Sequence, residues 1–360
     1  MAAQPHLLVD ITAHGYGHVS QTAAVVNALV LQLPALRVTL RTAAPQHMLQ
    51  QRFQCKFAHI PVAFDFGMKM ASAVDVQIAD SALAYREFHA DWHNRVVHAA
   101  EAMRGLQPDL LLANVPYLSL AAASRAKVRA VAMCSLNWAD IYQHYCVTDQ
   151  ASRVIHQQML DAYNSADCFL KVQPGMDMPE LCNTRTIQPI ARVGVSQRAL
   201  LENLLALHAG EKMVLIAMGG IEFRLPVQSW PEIPGIRWIV PQSWQVNRAD
   251  TVELESLNLP FTDVLASCDA IITKPGYGTF SEAACAGIPV LYVTRRDWPE
   301  EPCLVQWLRQ HAASQEVERI ALQSGDLAQA LANVWRQPRP TPPLASGAVE
   351  AAHILLEYIS

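Results

Sequence analysis

The residues best suited to chemistry in this chain lie at positions 274–282, where the sequence is Lys-Pro-Gly-Tyr-Gly-Thr-Phe-Ser-Glu. An apolar run at 270–273 predicts a buried strand before this segment, and a helix is predicted over 279–286. Gly276 and Gly278 would let an anion approach the main chain, and the helix N-terminus would offer N–H donors with a partial positive charge. The segment therefore predicts a phosphate or diphosphate site, with Lys274 as a counter-charge.

Glu282 allows two interpretations that are compatible with each other. Thr279 and Glu282 have the spacing of a capping box, in which the glutamate would satisfy the helix start without any ligand. The same carboxylate could also accept hydrogen bonds from sugar hydroxyls.

A second glycine pair follows the first predicted strand, at 7–12. Gly15 and Gly17 precede a helix predicted from Val19, so their main chain should lie at the edge of the sheet where open α/β folds bind ligands. A dinucleotide fingerprint would need a third small residue where Ser20 stands and an acidic residue about 20 positions later. Binding of a nicotinamide dinucleotide therefore stays a minor alternative.

His14 and His18 flank these glycines. Their spacing would suit a metal pair, but no glutamate of an HExxH motif accompanies them, so no metal site is predicted. Either histidine could also serve only as a helix cap or as part of a surface between domains.

A charged cluster follows the strand predicted at 289–294. It comprises Arg295, Arg296, Asp297, Glu300 and Glu301. The carboxylates suit hydrogen bonding to sugar hydroxyls beside a phosphate loop, and the alternative is an ordinary solvated surface.

Composition narrows the possible classes of protein. The net charge is −5 and charged residues make up 16% of the 360 residues, without a run of Lys or Arg, so nucleic acid is not an expected partner. No apolar stretch is long enough for a transmembrane segment and no secretory signal is visible, which predicts a cytoplasmic protein. The eight cysteines form no CxxC pair, which disfavours structural zinc and a disulfide framework.

Apolar runs alternate with helical patterns in both halves of the chain. Further strands are predicted at 38–42, 110–113, 130–133, 213–218 and 237–240, with helices at 19–33, 84–104, 263–267 and 347–358 and a connection at 171–195. This pattern predicts an α/β protein with two parallel sheets. We expect an N-terminal domain at 1–192, a C-terminal domain at 193–344 that contains the predicted phosphate site, and a final segment, 345–360, that packs back on the first domain.

Residues 282–289, Glu-Ala-Ala-Cys-Ala-Gly-Ile-Pro, resemble the donor-site helix of GT-B glycosyltransferases, including the bacterial peptidoglycan N-acetylglucosaminyltransferases. Residues 276–282 and 295–302 are more similar to the glycosyltransferase-like half of plant L-arabinokinases, and this likeness continues through 14–18, 65–80, 137–142 and 174–179. No GHMP-kinase phosphate loop is present, so kinase activity is not implied. The resemblance implies two Rossmann-like domains that face each other across a cleft.

The resemblance also implies roles for individual residues on the donor side. The diphosphate would lie against Gly276, Tyr277, Gly278 and Thr279, and Glu282 would hold the ribose. Gly219 and Gly220 resemble a second loop that faces the phosphates, and Phe261 falls where the main chain contacts uracil.

His18 occupies the position that holds the catalytic base in plant-type inverting members of this fold. The partner that orients such a base is usually an aspartate, and the nearest match here is Asn114. Retaining members commonly carry a glutamate eight positions before Glu282, where this chain has Lys274, and the sequence contains no Asp-x-Asp triplet. These features favour inversion without a bound metal or other cofactor.

The sequence thus predicts a glycosyltransferase that uses a nucleotide-sugar, most simply UDP-linked, and an unidentified hydroxyl acceptor. An epimerase or hydrolase acting on nucleotide-sugars on the same fold, and a non-catalytic sensor that binds the nucleotide-sugar, are the alternatives.

Overall fold

A computed structural model describes residues 4–14, 16–70, 76–219, 224–294 and 297–359 of the chain. It divides into two compact units. Unit 1 contains residues 1–190 and 346–360, and unit 2 contains residues 191–345.

Unit 1 is built on a parallel sheet of seven strands in the order β3-β2-β1-β4-β5-β6-β7. The strands are β1 His6–Ile11, β2 Arg37–Arg41, β3 Phe57–Ile60, β4 Leu110–Asn114, β5 Arg129–Cys134, β6 Cys168–Val172 and β7 Thr184–Ile187. The central strands read as continuous apolar runs because both of their faces are buried, as at Leu7, Leu8 and Val9.

Helices connect these strands. They are α1 Tyr16–Gln32, α2 Gln46–Arg52, α3 Ile78–Ala90, α4 Trp92–Leu106, α5 Tyr117–Ala126, α6 Trp138–Cys146 and α7 Gln150–Asn164.

Unit 2 repeats the scheme on a parallel sheet of six strands in the order β10-β9-β8-β11-β12-β13. The strands are β8 Lys212–Ala217, β9 Ile236–Val240, β10 Thr251–Glu253, β11 Ala270–Thr273, β12 Val290–Tyr292 and β13 Ser314–Glu316. Its helices are α8 Arg198–Leu204, α9 Phe261–Ser267, α10 Tyr277–Cys285, α11 Glu301–His311, α12 Arg319–Ser324 and α13 Ala328–Arg336.

Each sheet has one point at which the strand order reverses. In unit 1 it lies between β1 and β4, and in unit 2 between β8 and β11. The connections leave the two strands in opposite directions there, so a crevice opens at their carboxyl ends, where open α/β sheets bind ligands. His18 follows β1, Gly219 follows β8 and Lys274 follows β11, so the predicted site residues sit at these two points.

Helix α14, Gly347–Ile359, belongs to unit 1 although it follows unit 2 in sequence. It packs against α1 and β7, with Ala351, Ala352 and Leu355 buried. A side chain at Gly347 would overlap the main chain of Gln188, so glycine allows the helix start to approach this closely.

Several predicted elements differ from those observed. The helix predicted over 84–104 is two helices, α3 and α4, which meet at Asp91 because its backbone leaves the helical conformation. The connection predicted over 171–195 contains the end of β6 and the whole of β7. Helices α9 and α10 each begin two residues before their predicted starts at 263 and 279.

None of the helices in the described part of the chain combines the length and the apolar character needed to cross a membrane.

Candidate functional site

The unit 1 site centres on His18, in the first turn of α1, and on Asn114, the last residue of β4. The Nδ1 atom of His18 lies 2.9 Å from Oδ1 of Asn114, and the thiol of Cys134 lies 3.6 Å from the same nitrogen. Asn114 and Cys134 are buried, and His18 is partly exposed. The reversal in strand order thus brings the first helix and the ends of β4 and β5 together on one imidazole.

The hydrogen bonds of Asn114 determine the tautomer of His18. The amide nitrogen of Asn114 donates to Oε1 of Gln21 at 3.3 Å and, more weakly, to the carbonyl oxygen of His18 at 3.4 Å. A main-chain carbonyl can only accept, so Oδ1 of Asn114 faces the imidazole and Nδ1 of His18 must carry the proton. The lone pair is then on Nε2, the atom that can act as a base.

Burial lowers the pKa of His18 to about 4, and the hydrogen bond with Asn114 opposes this shift only in part. An amide has no charge with which to stabilise an imidazolium, so removal from water dominates. His18 is therefore neutral near pH 7 and available to accept a proton.

We expect Asn114→Asp to raise the pKa of His18 by about 1 to 3 units, because a carboxylate at this distance favours the protonated ring. An NMR titration of the ring of His18 measures the change. His89 is an internal control, since burial also lowers its pKa to about 4 and its partners, Gln158 and Tyr117, are not altered. A His18 pKa that stays near 4 in the variant would show that the two side chains are not coupled.

The same substitution should change how stability depends on pH. The unfolded chain takes up a proton on this histidine near pH 6.5, whereas the folded protein does so only near pH 4. The unfolded state therefore binds the proton first, and His18 lowers the free energy of unfolding as the pH falls from about 6.5 to 4. A raised pKa in Asn114→Asp should make this loss smaller.

His14 packs beside the same site. Its ring meets the buried indole of Trp138 edge-on, with 5.1 Å between centroids, and the indole N–H donates to Oδ2 of Asp65 at 2.8 Å. A Cβ on Gly67, whose φ is +62°, would lie 2.8 Å from both rings, so the 65–67 segment closes tightly over them. Burial lowers the pKa of His14 and raises the pKa of Asp65 to about 6.

Sequence patterns did not predict Gln21, Cys134, Asp65 or Trp138 as site residues. Gln21 had a usable signal, because it lies three positions after His18 on one helix and shares its face. The others come from distant segments that only the sheet brings together. Gly15 lies outside the described residues, and a Cβ on Gly17 would meet nothing within 4 Å.

The unit 2 site lies where β8 and β11 end. The hydroxyl of Thr273 donates to the carbonyl of Ala217 at 2.6 Å and ties the two strand ends together. Gly219 has a φ of +81°, and a Cβ there would lie 3.2 Å from Cε of Lys274. The lysine side chain therefore lies beside Gly219, just after the end of β8.

Helix α10 begins beside this lysine, with Gly276 as its N-cap and no side chain capping it. A Cβ on Gly278 would meet nothing within 4 Å, and one on Gly276 would meet only the carbonyl oxygen of Lys274, at 4.0 Å. Among the described residues, nothing fills the space beside the first turn. The N–H groups of this turn have no carbonyl acceptor within the helix. The ends of two strands, one cation and one helix N-terminus thus surround a space that suits an anion.

The predicted capping box is wrong. Because α10 begins at Tyr277, Thr279 is its third residue and Glu282 lies inside the helix, where it cannot close the N-terminus. Glu282 is partly exposed one turn beyond Gly278, and its predicted role as a ribose ligand stays a prediction.

The remaining predicted donor residues lie on neighbouring elements. Phe261 is the first residue of α9, which packs against α10 and β8, and it is partly exposed. Gly220 and Arg296 lie outside the described residues.

Two of the three carboxylates in the charged cluster are buried, and one is exposed. Glu300 and Glu301 are buried at the N-terminus of α11, which packs beside α10, whereas Asp297 is exposed. Anions are favoured at a helix N-terminus, so this position gives the two glutamates a structural role of their own.

Among the residues that the structure describes, no group of three or more His, Cys, Asp or Glu side chains could hold a metal ion.

Known structures share this architecture over nearly the whole chain. The glycosyltransferase of kitacinnamycin superposes with a TM-score of 0.67 at 15% identity and covers 99% of this chain and 100% of its own. The chain has the GT-B fold. Arabidopsis thaliana UGT89C1 in complex with UDP shares the GT-B fold at a TM-score of 0.57 and 14% identity, covering 99% and 96% of the two chains. MurG of Acinetobacter baumannii has a TM-score of 0.56 and 12% identity, and the superposition covers 98% of this chain and 99% of MurG.

No model of a known protein family matches the chain. L-arabinokinase of Arabidopsis thaliana is 24% identical to this GT-B chain over 338 residues, which are 90% of this chain and 32% of that protein. The chain therefore spans about a third of the length of this relative.

Proposed function

We propose that the protein is an inverting, metal-independent glycosyltransferase that transfers a sugar from a nucleotide-sugar, most simply UDP-linked, to a hydroxyl acceptor. The observation that carries this proposal is the placement of complementary chemistry at the two points where strand order reverses. A neutral imidazole with a free Nε2 stands at one, and an anion-suited loop with a lysine stands at the other.

The donor diphosphate binds at unit 2. The N–H groups of Gly278 and Thr279 and the ammonium group of Lys274 meet its phosphate oxygens, while the absence of side chains at Gly276 and Gly278 leaves room for it. Glu282 accepts from the ribose hydroxyls, and the main chain near Phe261 contacts the base. UGT89C1 has been solved in complex with UDP, which supports uridine diphosphate as the first nucleotide to test.

The acceptor is activated at unit 1. As the acceptor oxygen attacks the anomeric carbon, Nε2 of His18 takes the hydroxyl proton, and the bond between that carbon and the phosphate oxygen breaks. The nucleoside diphosphate leaves with the bonding pair, and Lys274 and the N-terminus of α10 stabilise its charge. Proton transfer to Nε2 is compatible with the Nδ1 proton, because Asn114 holds that proton on the other side of the ring.

One displacement of this kind inverts the anomeric configuration. A retaining mechanism of the two-glutamate type would need a carboxylate at position 274, where the chain carries lysine. Lysine at this position also offers the charge that a divalent metal gives the leaving group in other transferases.

A second candidate function, a sensor that binds a nucleotide-sugar without turnover, is favoured by Asn114. An amide supports an imidazolium less well than a carboxylate, and the pKa of His18 is about 4. A base this weak lowers the rate of proton abstraction.

One assay separates these functions. The protein is incubated with a panel of nucleotide-sugars, with and without a panel of phenols, sugars and aliphatic alcohols, and the release of nucleoside diphosphate is measured. We expect release that depends on an alcohol, an inverted glycoside by NMR, and a rate that EDTA does not change. Donor binding without any release would favour the sensor, and a sugar isomer formed from the donor alone would replace the transferase with an epimerase.

A further inference from the structure

Unit 1 contains a cavity on the opposite face of its sheet from His18. In parallel strands, residues paired in register share a face, and the next residue along each strand points to the other one. Asp10, Arg41 and Ile60 are paired across β1, β2 and β3, whereas Asn114 pairs with Ile11, the neighbour of Asp10. The faces of Asp10 and Asn114 are therefore opposite, and the cavity that Arg41 and Ile60 line is separate from the imidazole site.

The cavity measures about 490 Å³, within the range of small-molecule sites. Its walls come from the end of β2, the end of β3 with the loop after it, and the helices α4 and α5. The lining is mostly apolar, with Phe64 and Leu118 among the larger side chains. Among the described residues of the lining, the polar members are Arg41, Arg95 and His98, and none is a carboxylate.

The two arginines of the lining differ in their surroundings, because Arg41 is buried in an ion pair and Arg95 is exposed. Arg41 donates to both oxygens of Asp10, at 2.7 and 2.6 Å, and its side chain is 3% exposed, so its charge is compensated inside the unit. Its guanidinium also lies 4.3 Å from the ring centroid of Phe64, which fixes one wall. Arg95 is exposed at the rim of the cavity, and its Cζ atom lies 4.6 Å from the ring centroid of Phe88.

We propose that this cavity is a second ligand site, which binds a small planar apolar carboxylate. The apolar body lies against Phe64 and Leu118 and displaces water from their surfaces. The carboxylate accepts two hydrogen bonds from the planar fork of Arg95, for which it has the matching geometry. Arg95 has no ion-pair partner among the residues that the structure describes, and its single positive charge at the rim matches one negative charge. This site goes beyond glycosyl transfer and does not depend on it.

A matched pair of probes tests the proposal. The two are 2-naphthoate and 2-naphthamide, which have the same ring system and differ in the anion, and binding to the full chain is measured by calorimetry. We expect the acid to bind at least about tenfold more tightly than the amide, because charge-assisted hydrogen bonds are stronger than neutral ones. Equal affinities would overturn the proposal, as would no binding of either probe.

Variants then locate the site. Arg95→Gln should lower the affinity for 2-naphthoate about tenfold and leave the affinity for 2-naphthamide unchanged. Arg125→Gln, an exposed arginine of α5 outside the cavity, is the matched control and should change neither. If Arg95→Gln leaves the affinity of the acid unchanged, the assignment of the anion to Arg95 is wrong.

Filling the cavity gives an independent test. Ala102→Trp on α4 and Ala63→Trp in the loop after β3 each place an indole in the cavity from an exposed position, so either variant suffices if the other fails to fold. We expect neither probe to bind, while the circular dichroism spectrum of the variant stays unchanged. Binding that survives in a folded variant would place the probes elsewhere and overturn the site.

Discussion

Replacing His18 with alanine should lower the rate of glycosyl transfer by about 10² to 10⁴ while affinity for UDP changes by no more than a few fold. A positioned general base contributes this much to a reaction, and alanine removes the imidazole that takes the acceptor proton in the proposed mechanism. In the proposed mechanism the nucleotide binds to residues of unit 2, so the loss should appear in kcat. Steady-state kinetics together with UDP titration measure both quantities.

His47→Ala is the matched control, because His47 is an exposed histidine of α2 and has no place in the proposed mechanism. Its kinetics should equal those of the parent protein. A His18→Ala variant that transfers sugar at the parent rate would remove the base from the mechanism.

Replacing Gly278 with alanine should weaken UDP binding about a hundredfold without destabilising the protein. The added methyl group meets no atom of the described residues within 4 Å, so the described part of the fold has room for it. Alanine is also the better helix former, by up to about 1 kcal/mol in a helix interior. The methyl group would instead occupy the space of the diphosphate and displace it from the first-turn amides, at a cost of one or two charge-assisted hydrogen bonds.

Gly105→Ala in α4 is the control for this substitution, since a Cβ there also meets nothing within 4 Å. Both variants should melt at or above the temperature of the parent, and only Gly278→Ala should lose UDP. Unchanged UDP affinity in Gly278→Ala would show that the diphosphate does not approach this turn.

The central strands of both sheets could be predicted from the sequence, and the outer ones could not. The unpredicted strands are the four edge strands β3, β7, β10 and β13, together with β6. Edge strands here are three or four residues long and partly exposed, so they lack the long apolar run of a strand buried on both faces. Strand β6 was missed because its last residues run into a proline-rich stretch that predicted a connection from position 171.

The two loops of the candidate site were predictable because glycine and a helix start have strong local signals. Local patterns did not predict the contacts made by those loops. The hydrogen bond from His18 to Asn114 joins residues 96 positions apart, and only the resemblance to GT-B enzymes indicated Asn114 as the partner of His18. The contact of Lys274 with Gly219 depends on β8 and β11 being neighbours. The capping box failed for a local reason, because a helix start can shift by two residues without any change in the periodicity that predicts it.

Backbone hydrogen exchange of the parent protein, with and without saturating UDP, tests the donor site most directly. The amides of Gly278 and Thr279 lie in the first turn of α10, where the helix supplies no acceptor, so bound phosphates should slow their exchange. We predict protection at 276–279 and at Gly219 with UDP, and none there with NADH. Exchange at 276–279 that UDP leaves unchanged, or that NADH slows instead, would contradict the account.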